Sequence, residues 1–172
     1  KQKTAYEIMP SLVGSEMCIR DRYYVSRTSH GSTLSKVVHC YIAHLLGLHK
    51  ESRRWFREVL ESDIFDTQGG TTPEGIHMGV MGGSLELVMR GFAGLEILED
   101  RIKISPVLPR GFEKISFRIN YRNNWIYFVV DNKQVSIFIQ RDGKEGFSTP
   151  VEIKGRVYYL DSGKRYKITI RK

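Results

Sequence analysis

The chain has 172 residues, with 27 Lys plus Arg against 19 Asp plus Glu, a formal net charge of +8, five His and two Cys. A hydrophobic fraction of 41% supports a packed core and excludes a disordered chain, and two Cys exclude a disulfide-rich secreted scaffold. No apolar run approaches the ~18 to 20 residues of a bilayer span, which excludes an integral helical membrane protein. Residues 1–22, KQKTAYEIMPSLVGSEMCIRDR, show no helical or alternating period, no cap signal and none of the zones of a signal peptide. They have a nucleotide explanation instead. KQKTAYE with Ile8 is what a common sequencing-library primer encodes, and SLVGSEMCIRDR is what a transposon-end adapter encodes in the same frame. Met9 and Pro10 fall where a sample index sits. Residues 1–22 are therefore expected to be translated adapter without a fold, leaving Tyr23 as a boundary imposed by library preparation. Setting them aside removes four basic and three acidic residues, so the net charge becomes +7 and Cys40 is the single Cys, on a helical face where it reads as a small buried hydrophobe.

From Thr33 to Gly47 the residues Leu34, Val37, Val38, Tyr41, Ile42, Leu45 and Leu46 recur at helical spacing and predict an amphipathic helix ended by Gly47. Residues 51–64, ESRRWFREVLESDI, predict a second, with Trp55, Phe56, Val59 and Leu60 on one side. The short LGLHK connection predicts an antiparallel hairpin. After a Gly-rich loop at 68–75, a third helical run reaches about Phe92 despite Gly79, Gly82 and Gly83. Each interior Gly costs ~1 kcal/mol relative to Ala, so this density points to tight packing or to a ligand near the backbone.

Beyond Gly94 the period becomes two. KISFRINY places Ile115, Phe117, Ile119 and Tyr121 on one face, QVSIFI and RYKITI alternate likewise, and WIYFVV, apolar on both faces, predicts a buried central strand. Turn signals at RNN, DNK, RDGKEG and DSGK separate the runs. The expected class is α+β in two parts, a helical region over 23–95 and an antiparallel sandwich over 96–172. The Lys and Arg fall mostly at outward strand positions without an aromatic-interleaved stripe, so the basic excess reads as a solvated face, with no nucleic acid and no membrane as partner.

Two clusters carry possible chemistry. In RTSHGSTLS, the hydroxyls of Thr28, Ser29, Ser32, Thr33 and Ser35 surround His30 and Gly31 at a helix start, which suits an anion such as phosphate. Ordinary N-capping by Ser32 or Thr33, which needs no ligand, accounts for the same string. In QGGTTPEGIHMGVMGG, Thr71, Thr72 and Pro73 fit a cap and first turn, Glu74 is a first-turn acid, and His77 follows beside small residues. His77 suits donation to an anionic oxygen, or simple hydrogen-bonded packing; Glu74 suits acid or base work, or the helix dipole. No metal site is expected, since His39, His44 and His49 do not share a face and no His and carboxylate set has ligand spacing.

HGSTLSKVVH, ESDIFDTQGGTTPEGIHMGVMGG, GFAGLEI and ISPVLPRGFEKISFRINYR, in this order, resemble the carboxyl-terminal part of glycoside hydrolase family 65, the inverting disaccharide phosphorylases that include maltose, trehalose, kojibiose and nigerose phosphorylases. The resemblance implies that 23–95 are the last helices of an (α/α)6 barrel and 96–172 its small carboxyl-terminal β-sandwich. It implies phosphorolysis of an α-linked glucose disaccharide to β-glucose 1-phosphate and glucose, in a bacterial, cytoplasmic, homodimeric parent with inorganic phosphate as co-substrate and no cofactor. By resemblance Ser32, Thr33 and His77 bind phosphate, while His30, Gly31, Gly82 and Gly83 shape the site and Glu74 is structural. The family's general acid, a Glu, has no counterpart in this chain, so the chain alone is expected to be inactive. The alternatives are a hydrolase of the same family and a non-catalytic carbohydrate-binding module. The latter would use exposed aromatics such as Trp125 and Tyr127.

Overall fold

The computed structural model describes residues 33–65, 75–140 and 148–170. The residues read as adapter, and the candidates His30, Gly31, Ser32 and Glu74, lie outside the described residues. The chain divides into two units, 1–84 and 85–172, with the boundary inside a helix.

The first unit holds α1 (Leu34–Leu45), α2 (His49–Leu60) and most of α3 (Met78–Glu86). Gly47, at φ +71, ends α1 in the left-handed region that glycine adopts without cost, and the Leu48 N–H closes the turn onto the Ala43 carbonyl at 2.9 Å. On α2 the buried residues are Ser52, Trp55, Phe56 and Val59, a single helical stripe. On α1 burial does not follow the apolar stripe. Its buried residues are Lys36, Cys40, Ala43 and His44, while Val38 and Leu45 are 56% and 59% exposed. The reason is specific pairing across the hairpin. Lys36 Nζ lies 3.4 Å from Glu58 Oε2, Cys40 Sγ donates to the Ser52 carbonyl at 3.2 Å, and the His39 ring stacks on Trp55 at 5.5 Å.

The opposite side of α1 meets α3 through glycine. A Cβ at Gly79 would touch Leu34 at 3.2 Å, and one at Gly83 would come within 2.8 Å of Val37 Cγ1 and 3.0 Å of Cγ2. Gly82 has open space instead. The two positions therefore separate the two reasons for glycine. Gly82→Ala should stabilise by about 0.5–1 kcal/mol, since it only removes backbone freedom. Gly83→Ala gains the same helix term but presses on a β-branched side chain with a stiff χ1, and overpacking of that kind costs about 1–3 kcal/mol, so the net is a loss. Urea unfolding followed by helical circular dichroism checks both, and the reverse order of stabilities would contradict the packing described.

In the second unit the helix continues as a π-helical segment, Leu87–Phe92, and stops at Gly94, whose φ is +63. Among the described residues eight strands follow: β1 (Leu95–Ile97), β2 (Ile102–Ile104), β3 (Lys114–Tyr121), β4 (Asn124–Asp131), β5 (Gln134–Ile139), β6 (Ser148–Ile153), β7 (Arg156–Asp161) and β8 (Arg165–Thr169). They form two four-stranded sheets, ordered β1-β2-β6-β7 and β3-β4-β5-β8. One pairing departs from the antiparallel expectation: β2 and β6 run parallel, with Ile102 opposite Val151 and Ile104 opposite Ile153. Each sheet has one dry face. Ile102, Ile104, Val151 and Ile153 line one, and Ile126, Phe128, Val130, Val135, Ile137 and Ile139 the other.

WIYFVV does occupy a central strand, β4, between β3 and β5. Only its Ile126, Phe128 and Val130 face is buried, however; Trp125 on the other face is 39% exposed. That outer face is shielded by arginine. Arg118 lies over the Trp125 ring at 4.8 Å and Arg165 over Phe138 at 5.4 Å, with Tyr127 and Phe138 opposite one another in register. Much of the outward positive charge on this sheet thus sits on aromatic rings.

Candidate functional site

The described part of the site is built on the starts of two helices. Thr33 immediately precedes α1, its carbonyl accepting from the Lys36 N–H at 3.1 Å. Its backbone is already helical, at φ −61 and ψ −25, and its hydroxyl makes no capping bond to the helix. The ordinary N-cap role considered from sequence therefore does not apply to Thr33, whose side chain is buried. His77 holds the equivalent place on α3: its carbonyl accepts from Val80 N–H at 2.9 Å and Met81 N–H at 3.1 Å.

These two starts share one end of the helix pair. Leu34 meets Gly79 and, three to four residues further along each helix, Val37 meets Gly83, so α1 and α3 advance in the same direction where they touch. Thr33 and His77 each sit just before the first of these contacts. The positive ends of the two helix dipoles therefore point to a common end. Gly83 serves the packing that brings this about; Gly82 is exposed with nothing near it.

Sequence reasoning missed the residue that holds His77. Asp63, in the turn after α2, accepts the His77 backbone N–H at 3.2 and 3.1 Å through Oδ1 and Oδ2, and its Oδ1 lies 2.6 Å from Nδ1 of the ring. The side chains are largely buried, at 14% exposed for Asp63 and 27% for His77. A carboxylate only accepts, so Nδ1 carries the proton and any further partner of the ring meets Nε2. The string ESDIFD does place an acid just before the glycine-rich stretch of sequence, but nothing local marks it as a histidine partner.

Burial pushes the Cys40 thiol up to about 11, with the Ser52 hydroxyl pulling the other way, so it remains a protonated packing group rather than a nucleophile. Among the described residues no three His, Cys, Asp or Glu side chains are grouped to hold a metal ion, and no helix is long and apolar enough to cross a membrane.

Comparison with known proteins converges on one family. Residues 6–86 match the Glycosyl hydrolase family 65 central catalytic domain, and residues 95–160 match the Glycosyl hydrolase family 65, C-terminal domain. The first match takes in 6–22, the stretch that the nucleotide reading assigns to adapter. An uncharacterized glycosyl hydrolase of Mycobacterium tuberculosis is 37% identical over 143 residues, covering 82% of this chain and 10% of that protein. The trehalose 6-phosphate phosphorylase of Lactococcus lactis is 38% identical over 120 residues, covering 70% of this chain and 16% of its own length. A solved structure described as a kojibiose phosphorylase from human microbiome superposes with a TM-score of 0.72 at 28% identity, covering 88% of this chain and 21% of that one. The chain thus spans about a tenth to a fifth of the length of the proteins it matches. With two successive domains of one family falling in order along it, and with the His77 and Thr33 helix starts inside the first, the chain belongs to glycoside hydrolase family 65.

Proposed function

We propose that this chain is the carboxyl-terminal part of an inverting disaccharide phosphorylase, which cleaves an α-linked glucose disaccharide with inorganic phosphate to β-glucose 1-phosphate and glucose. Maltose and kojibiose phosphorylases among its relatives support the reaction class. The observation that carries the reading is the His77 ring, whose Nδ1 is held by Asp63 so that Nε2 is the nitrogen left for a ligand, at the same helix end as Thr33. The Ser32 and Thr33 hydroxyls and His77 form the anion site, at the positive ends of the two helix dipoles. An inverting hydrolase needs a carboxylate base to activate water on the face opposite the leaving group. A phosphorylase has no such need. A phosphate oxygen forms the new bond to the anomeric carbon while the glycosidic bond breaks, and a general acid protonates the departing sugar oxygen. The chain supplies the anion site, and the acid comes from elsewhere in the enzyme.

In this reading α1 to α3 are the last helices of an (α/α)6 barrel, and the exposed Val38, Tyr41 and Leu45 face is covered by the rest of it. By the same resemblance the enzyme is homodimeric and cytoplasmic, with phosphate as co-substrate and no other cofactor. The test is product analysis. The intact enzyme should release β-glucose 1-phosphate from a panel of trehalose, maltose, kojibiose and trehalose 6-phosphate only when phosphate is present, and the 172-residue chain alone should release none. Sugar release independent of phosphate would favour the hydrolase, and phosphorolysis by the isolated chain would refute the division of labour.

A further inference from the structure

We infer that Asp63 is a positioning residue: by gripping both the backbone N–H and the ring Nδ1 of His77, it sets the tautomer and orientation of the imidazole and thereby presents Nε2 to phosphate. The inference rests on the phosphate reading above for the identity of the anion, while the grip on the ring stands without it. Three contacts define the grip, two to the backbone nitrogen at 3.2 and 3.1 Å and one to Nδ1 at 2.6 Å. The backbone nitrogen is always a donor, so it holds the carboxylate plane in place, and the carboxylate in turn accepts from the ring. Asp63 follows α2 and His77 opens α3, so the contact joins two elements that are separated in sequence and fixes the ring relative to both.

The consequence for anion binding follows from donor and acceptor counting. With Nδ1–H committed to Asp63, Nε2 meets phosphate in one of two ways. On the neutral ring it accepts from a phosphate hydroxyl; on the protonated ring it donates to a phosphate oxygen, with the Asp63 carboxylate balancing the charge on the other side. An imidazole without this partner presents either tautomer and rotates about its side-chain bonds. The same second contact orients histidines that ligate metals, where its loss costs about 10–100-fold in affinity.

Asparagine at position 63 is the discriminating variant, because it keeps one acceptor and replaces the other by an amide donor. Its oxygen can retain the backbone N–H, and its amide then faces Nδ1, which must accept; the ring proton moves to Nε2. Nitrogen-15 long-range correlation of the histidine rings in the full 172-residue chain reads this directly, with His77 assigned by difference against His77→Gln. The neutral wild-type ring should show the Nδ1–H tautomer, Asp63→Asn the Nε2–H tautomer, and Asp63→Ala the mixture of a free histidine. Titration with inorganic phosphate should shift the Nε2 resonance, with affinity about tenfold weaker in both variants. A free-histidine mixture in the wild type, or an unchanged tautomer in Asp63→Asn, overturns the assignment; the wild-type signature decides it alone where a variant fails to fold. The expected tautomers with an Nε2 resonance indifferent to phosphate would instead overturn the phosphate reading and leave the grip of Asp63 on the ring intact.

Discussion

Gly94→Ala is expected to destabilise the carboxyl-terminal unit by about 3 kcal/mol or more. Two penalties combine. The residue sits at φ +63, where an L side chain is strained by roughly 1–2 kcal/mol. The added Cβ would also collide with the backbone carbonyl of Ser105. That carbonyl has nowhere to go: the Ser105 N–H is bonded to the Gly94 oxygen at 3.0 Å, and the neighbouring Ile104 is fully buried in β2. Relief requires moving the entry of β1 away from β2, and with it the start of the first sheet. At about 4–8 °C per kcal/mol for a domain of this size, the melting temperature should fall by at least ~12 °C in calorimetry. Gly155→Ala is the control. It shares the positive φ, at +78, in the turn between β6 and β7, but its Cβ would meet nothing within 4 Å, so only the conformational strain applies. Equal losses for the two variants would show that the close approach to Ser105 contributes nothing.

What was legible in the sequence, and what was not, follows from whether the signal is local. The turns were legible because their chemistry is contained in a few residues. In DNK the Asp131 carboxylate accepts the Lys133 N–H at 2.6 Å and the Gln134 N–H at 2.8 Å. In RNN, Arg122 and Asn123 adopt φ of 51 and 64. The parallel contact of β2 with β6 was not legible, since neither strand carries a mark of a partner some fifty residues away. On α1, periodicity located the helix, but the residues it buries are Lys36, Cys40, Ala43 and His44 rather than the apolar stripe, because periodicity does not say which neighbour takes which side. Val37 and Leu34 meet glycines of α3, while the hairpin partner takes the side of Lys36 and Cys40 because Glu58 and Ser52 stand opposite them. The site divides in the same way. Thr33 and His77 stood out through their strings, whereas Asp63 is a single acid after a helix, a position with many ordinary uses, and its meaning appears only when the chain returns to it with His77.

In the intact enzyme, His77→Ala is expected to lower kcat/KM for phosphate by about 10²-fold, the scale seen when one preorganised donor to a developing or bound oxyanion is removed, with disaccharide affinity changed by less than about twofold. Ser32→Ala and Thr33→Ala should each cost about tenfold in the same parameter, because a hydroxyl bonded to a charged group contributes less than a ring that can itself carry charge. The separation between the two substrates is what makes the experiment diagnostic. A residue that touches only the anion changes the response to phosphate concentration, while a residue that merely holds the fold lowers the active fraction and scales both substrates alike. Removing the ring leaves the His77 backbone N–H on Asp63 and the α3 glycines on Leu34 and Val37, so the frame of the site keeps its main contacts. Initial rates measured with each substrate varied in turn, in phosphorolysis and in the reverse direction from β-glucose 1-phosphate, give the comparison. Matched losses for phosphate and disaccharide would move His77 out of the anion site and into the packing of α3 against the turn that carries Asp63.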